Sequence, residues 1–192
     1  MKNALAPLHA CITFNTIHSM GMELNPPVYL LDDSDMLKDS KWQVVVSAYD
    51  GNLHEIRKQI FEGAGSIASP HNLGYFMLRH EQTETAPLFH VAEIIRDGIL
   101  FDRTYYWINY EFDRGCLFRL PSTTLSMRIS GNNACVTNTG ALPAVGVHVD
   151  RPGHLDTFTA SDNYFWLNQG ESKEITVNAV EGLVVSAWNS TL

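Results

Sequence analysis

The densest grouping of metal-ligating side chains in the 192-residue chain is His148-Val149-Asp150-Arg151-Pro152-Gly153-His154-Leu155-Asp156. His148 and Asp150 are two positions apart, so on a strand they project from one face, and His154 with Asp156 can answer from the returning strand. Two imidazoles and two carboxylates on one side of a hairpin form a donor set for a divalent metal. The same string also describes a solvated hairpin around a Pro-Gly turn, where ligand-like spacing recurs by chance. The expectation is the hairpin, with no metal and no cofactor.

Cleavage of a glycosidic bond needs two carboxyl groups facing each other, roughly 5 Å apart for retention and wider for inversion. Twenty-one Asp and Glu residues offer many pairs. Most lie in turn-like contexts such as Leu31-Asp32-Asp33-Ser34-Asp35, where Asp caps its own backbone, and no pair is singled out. The nucleophile signatures GxSxG, GxGxxG, the P-loop and HExxH are all missing. His9, His18, His54, His71, His80 and His90 are scattered over turns and strands, where a lone imidazole is usually a hydrogen-bonded structural group. Cys11, Cys116 and Cys135 form an odd set without CxxC spacing, so they read as small buried apolar residues rather than a disulfide framework or a zinc site. No catalytic residue is expected in this chain.

Aromatic faces bind sugars by stacking, and Tyr105-Tyr106-Trp107 with Tyr110 and Phe112 is a concentrated strip. On a strand Tyr105 and Trp107 share one face, while Tyr106, Ile108, Tyr110 and Phe112 share the other. The even face carries too long an apolar run to stay wet, so it must be core. The odd face, Tyr105 and Trp107, is open to three readings: a weak carbohydrate platform, a docking surface toward another domain, or core-edge packing.

The elements that would position these groups are short runs of alternating polarity cut by turn residues, the pattern of strands with one buried face. In the first half they are residues 8–14, 27–31, 42–49, 53–61, 74–80, 89–96 and 104–112. The β-branched run 42–49 followed by Asp50-Gly51-Asn52 is the clearest hairpin. Residues 53–61 and 89–96 fit a helical period as well, and the 8 to 12 residue spacing around them favours strands. After residue 112 come two turn signals, Asp113-Arg114-Gly115 and Pro121-Ser122-Thr123-Thr124. The apolar insert Leu117-Phe118 between them reads as a connection packed between two bodies. Residues 124–129, 134–138, 144–150, 155–160, 164–167, 173–177 and 183–188 then read as seven more strands. The fold class expected is all-β: two tandem immunoglobulin-like sandwiches, over residues 1–117 and 118–192.

Hydrophobic content of 45% and charged content of 18% are enough for real cores and exclude a disordered tail. Thirteen Lys plus Arg against 21 Asp plus Glu give a formal charge of -8 without any basic block. Nucleic acid and anionic membrane are therefore not expected as partners. No stretch approaches the roughly 20 apolar residues of a membrane span, and the opening residues lack the apolar core of a signal peptide. The compartment is not encoded here.

One string is more specific than the rest: Ser161-Asp162-Asn163-Tyr164-Phe165-Trp166-Leu167-Asn168-Gln169-Gly170-Glu171, followed by the β-branched run to Val177. It resembles the S-D-N-Y-F-x-L-x-x-G-E pattern that ends the last domain of glycoside hydrolase family 2 β-mannosidases and their exo-acting relatives. The residues carrying the match, Ser161, Asp162, Asn163, Tyr164, Phe165, Leu167, Gly170 and Glu171, make structural sense. Asp162-Asn163 suit an Asx-type turn, Tyr164 and Phe165 would open a strand with alternate residues buried, and Gly170 permits the reversal. Lys2 to Leu8 is similar to the A-x-x-P-L segment by which such enzymes leave their catalytic barrel. Residues 109–121 resemble the joint between their last two sandwiches.

The resemblance implies a chain without catalytic residues. The family's acid/base and nucleophile glutamates belong to a (β/α)₈ barrel upstream, the acid/base follows an asparagine, and no Asn-Glu dipeptide occurs here. The expectation is a C-terminal accessory fragment, with Met1 supplied by cloning. Its partners would be the upstream barrel of the same polypeptide and a glycan, in an extracytoplasmic bacterial setting. The parent enzyme would hydrolyse terminal β-linked mannose with retention, with β-glucosaminidase or β-galactosidase parents as alternatives.

Overall fold

The computed structural model describes residues 6–14, 25–78, 88–108, 115–153 and 157–190. Among them are thirteen strands, one 3₁₀ turn at Cys116–Arg119, and no α-helix. The chain divides into two compact units, Met1–Arg114 and Gly115–Leu192. The all-β, immunoglobulin-like sandwich class expected from the sequence is the class observed.

The first unit is built from β1 (Leu8–Ile12), β2 (Pro27–Asp32), β3 (Lys41–Tyr49), β4 (Glu55–Ala64), β5 (His71–Tyr75), β6 (Phe89–Arg96) and β7 (Ile99–Trp107). They form an antiparallel sheet β1-β2-β5 and a second sheet β4-β3-β6-β7. Period-2 alternation explains the layering. Leu8, Ala10, Ile12, Val28 and Leu30 from the first sheet meet Val44, Val46, Ala48, Ala92 and Ile94 from the second in one core, with Phe76 and Leu37 between them. Phe76 is fully buried, and truncating such a side chain costs about 3–5 kcal/mol.

The first unit's turns use the residues their geometry needs. Asp50 accepts hydrogen bonds from the N–H groups of Asn52 and His54 at 2.8 and 2.9 Å, closing the β3–β4 hairpin. Asp32 accepts from Met36 and Leu37 N–H at 2.8 and 2.9 Å, so part of the acidic run 32–35 does cap its own backbone. Residues 55–61 and 89–96, from the two segments readable with either period, lie in strands β4 and β6, which pair with the two edges of β3.

Two strand bounds differ from expectation. Residues 74–80 were expected as a strand, yet β5 spans His71–Tyr75, with a register shift opposite Val28/Tyr29 and Gly74 at φ 110. The expected strand 104–112 begins earlier, directly after the Asp97–Gly98 turn, where φ is 49 and 81. The run Ile99-Leu100-Phe101 does not alternate and so hid this start. Residues 109–112 lie outside the described residues.

The second unit comprises β8 (Leu125–Ser130), β9 (Asn133–Asn138), β10 (Ala144–Asp150), β11 (Phe165–Leu167), β12 (Ser172–Thr176) and β13 (Val184–Ser186). Its sheets are β12-β9-β8 and β11-β10-β13, both antiparallel. Val136 and Ile175 from one sheet face Val147, Val149, Phe165 and Leu167 from the other. Two buried asparagines tie the connections down. Asn138 accepts from Thr123 Oγ1 and Gly140 N–H and donates to the carbonyls of Leu142 and Leu167. Asn189 accepts from Val145 N–H and donates to the carbonyls of Pro121 and Pro143. Every polar atom of both side chains is satisfied, as burial demands.

Three further expectations are corrected here. The strand expected at 155–160 is not formed by its described residues, which contribute a single bridge, Ala160 to Val177, while 155 and 156 lie outside the described residues. The Leu117-Phe118 insert is a 3₁₀ turn with Phe118 93% exposed, so that ring is not packed. Cys11, Cys116 and Cys135 are free but only half-buried, and desolvation raises the pKa of the Cys11 thiol.

Candidate functional site

The aromatic strip lies on β7, an edge strand of the four-stranded sheet. Its even face is tied inward, as expected. Tyr106 packs on the core and its hydroxyl accepts the Ile12 N–H at 3.2 Å, while Asp102 pairs with His9 at 2.9 Å. Burial raises the Tyr106 pKa, so its hydroxyl stays protonated. Ile108 is buried; Tyr110 and Phe112 lie outside the described residues.

The odd face carries Tyr105 opposite Val91 and Trp107 opposite Phe89. The Tyr105 and Phe89 rings stand 6.4 Å apart and tilted. Trp107 is 46% exposed, whereas Tyr105 is half-buried. Further along this face Arg103 donates from Nε and Nη2 to Glu93 Oε1 at 2.6 Å, and Arg96 sits over the Phe101 ring at 5.7 Å. The arrangement offers one open indole beside an occupied ion pair.

At one end of the same sheet a groove of about 830 Å³ is lined by Lys41, Trp42, Gln43, Glu62, Gly63 and Asp97, among others. Its polar groups are already engaged: Asp97 Oδ1 accepts the Lys41 N–H at 2.9 Å, and Gln43 Nε2 donates to Glu62 Oε2 at 3.4 Å. Trp42 forms the floor, lying across Gly63 and donating from Nε1 to Gly65 O at 3.3 Å.

His90 is fully buried, with the rings of Phe14 and Phe76 edge-on at 5.5 and 5.4 Å. Neither of its ring nitrogens has a hydrogen-bond partner among the described residues. Desolvation lowers its pKa to about 3, so the imidazole is neutral in the fold.

The second unit carries the motif residues. Asp162 Oδ1 accepts the N–H of the adjacent Asn163 at 2.8 Å, an i to i+1 bond in place of the i+2 bond of the expected Asx-type turn, and Asp162 pairs with Lys173. The Asn163 amide grips both backbone groups of Val149, at 2.9 and 3.3 Å. Ser161 Oγ accepts the Thr176 N–H, Glu171 Oε2 accepts the Asn168 N–H, and Gly170 takes φ 74 in the reversal. The motif therefore staples β10, β11 and β12 together.

Tyr164 departs from the sequence reading. It does not open the strand: its φ is 60, its ring is 58% exposed, and Phe165, Trp166 and Leu167 after it are all buried rather than alternating.

Beneath Tyr164 is His148, with ring centroids 5.1 Å apart and planes 26° apart. His148 Nδ1 lies 3.0 Å from Gly146 O, which fixes a donor there, and Nε2 accepts from Ser186 Oγ at 3.0 Å. Of the four groups in the metal-like string 148–156, His148 is thus spent on hydrogen bonds and Asp150 accepts the Arg151 N–H. His154 and Asp156 lie outside the described residues. Sequence reasoning missed this stack, along with Trp188, which lies across Gly146. The only local signal was the tyrosine following Asp162-Asn163.

Comparison with known proteins agrees with this architecture. Residues 119–192 match the model of the Ig-fold domain family Ig_mannosidase. No curated protein sequence matches the chain. Among solved structures, the exo-chitosanase CsxA of Amycolatopsis orientalis is similar at TM-score 0.59 and 17% identity, over 98% of this chain and 26% of that one. The β-D-mannosidase of Dictyoglomus thermophilum is similar at TM-score 0.63 and 14% identity, over 99% of this chain and 22% of that one. At such identities the likeness is one of fold, and the chain spans about a quarter of the length of either enzyme. Residues 119–192 are thus similar to the Ig-like domain of the Ig_mannosidase family, and the fold of the chain is similar to part of two larger enzymes.

Proposed function

We propose that this chain is the non-catalytic C-terminal accessory region of a larger family 2 glycoside hydrolase, a scaffold that packs beside an upstream catalytic barrel. The observation that carries the reading is the coverage: nearly all of this chain corresponds to about a quarter of an exo-chitosanase and of a β-D-mannosidase. Among the described residues the buried carboxylates Asp32 and Asp50 cap backbone N–H groups, and Glu93 is held by Arg103. Retaining hydrolysis needs two carboxyls opposed across a bond.

Terminal β-D-mannose is the substrate we assign to the parent, on the resemblance at Ser161 to Glu171 and on the Ig_mannosidase match. A β-glucosaminidase parent is the competing assignment, since one structural relative is an exo-chitosanase, and a β-galactosidase parent is the third. The test is hydrolysis of nitrophenyl β-mannoside, β-glucosaminide and β-galactoside by this chain and by the full parent polypeptide. We expect no turnover by the chain and preferential turnover of the mannoside by the parent. Turnover by the isolated chain overturns the accessory reading; a parent preferring another sugar overturns only the mannose assignment.

A second reading, a carbohydrate-binding module, has one observation in its favour: the open indole of Trp107 beside Tyr105. Glycan binding by the chain that disappears in Trp107→Ala would establish it.

A further inference from the structure

The outer face of sheet β11-β10-β13 carries features that the accessory role does not use. Tyr164 holds a positive φ of 60, a conformation that costs free energy for a bulky L residue. That strain presents the ring outward, 58% exposed, while its inner face stacks on His148. The imidazole beneath is locked by hydrogen bonds at both nitrogens, to Gly146 O and Ser186 Oγ. A second aromatic follows along β10, where Trp188 lies across Gly146 and remains 40% exposed. Gly146 makes this possible, because a Cβ there would meet the indole at 2.5 Å. Tyr164 over His148 and Trp188 over Gly146 thus stand above neighbouring positions of β10. Asp150, exposed on the same strand, and Ser186 supply polar groups beside them.

We propose that Tyr164, His148 and Trp188 form a saccharide-binding shelf on the second unit, taking two or three residues of a β-linked oligosaccharide. A pyranose has an apolar C–H face and a rim of hydroxyls. Two exposed aromatic faces with a carboxylate and a hydroxyl at their edges match that chemistry. This site is separate from Tyr105 and Trp107, and it does not depend on which sugar the parent hydrolyses.

The experiment is titration of the full chain with β-1,4-mannotriose and, in a second arm, chitotriose, followed by NMR shifts of the indole N–H signals. Saturable binding of either sugar, with Kd of about a millimolar as open shelves give, is the expected result. Tyr164→Gly should weaken it at least about tenfold without lowering Tm, because glycine accepts the positive φ freely. Tyr164→Asn, which also tolerates that conformation, is the companion variant should the glycine form prove insoluble. Trp107→Ala should leave this binding unchanged. The proposal is overturned if neither sugar gives a saturable shift, or if binding survives both Tyr164 variants. The parent enzyme's hydrolysis is read separately, so failure here leaves the accessory reading standing.

Discussion

His90 and His148 stand on central strands of two immunoglobulin-like units and live under opposite rules. His90 in the first unit is sealed among Phe14 and Phe76 with both nitrogens unpartnered among the described residues. His148 in the second has both nitrogens bonded and its face covered by an exposed tyrosine. The same contrast runs through two tryptophans, each lying on a glycine. Trp42 over Gly63 is a buried plug at 6% exposure, whereas Trp188 over Gly146 is left 40% open. His90 and Trp42 fill a core, whereas His148 and Trp188 lie at a surface, and display with satisfied hydrogen bonds distinguishes a candidate surface from a packing residue.

Acid should separate the two units most strongly. The His90 pKa is lowered to about 3 in the fold and returns to about 6.5 on unfolding. The unfolded chain therefore binds the proton first: stability is whole above pH 6.5 and falls on acidification by about 1.4 kcal/mol per pH unit. The loss approaches roughly 5 kcal/mol near pH 3. Urea unfolding of the first unit between pH 4 and 7.5 checks this. His90→Leu should flatten the slope and, by removing two unpartnered polar atoms, add about 1 kcal/mol at neutral pH. An unchanged slope in that variant would assign the acid sensitivity to other groups.

The glycines test the second half of the contrast. Gly63→Ala drives a methyl into the indole of Trp42, which is buried and held by Gly65 O, and should cost about 3 kcal/mol. Gly146→Ala meets Trp188 at 2.5 Å, but that ring has solvent to move into. Its cost should come mainly from φ 60, about 1–2 kcal/mol. Thermal melts rank the two, and a larger loss at Gly146 would mean that Trp188 is as firmly packed as Trp42.

Much of the fold was legible in advance because strand formation is a local matter. Residues 89–96, assigned by the spacing of the runs around them, and 144–150, bounded by turn residues, coincide with β6 and β10. Asp50-Gly51-Asn52 reverses the chain where a hairpin was expected. The candidate sites were less legible. Tyr105 and Trp107 were placed correctly on one face of one strand, since that needs only period 2. The metal-like hairpin dissolved at His148, because its imidazole is claimed by Ser186, 38 residues away.

The amino-acid order by itself determined that this chain forms short, half-buried strands and carries the Ser161 to Glu171 staple, because polarity alternation and turn chemistry act over a few residues. Which face each strand buries against which partner was decided only in three dimensions. β10 pairs with β11 through a register shift between Ala144 and Val147 and with β13 on its other edge. That pairing brings Tyr164, His148, Ser186 and Trp188 together across some forty residues of chain. No local pattern encodes such a meeting, since it depends on sheet order, and sheet order depends on the packing of the whole unit.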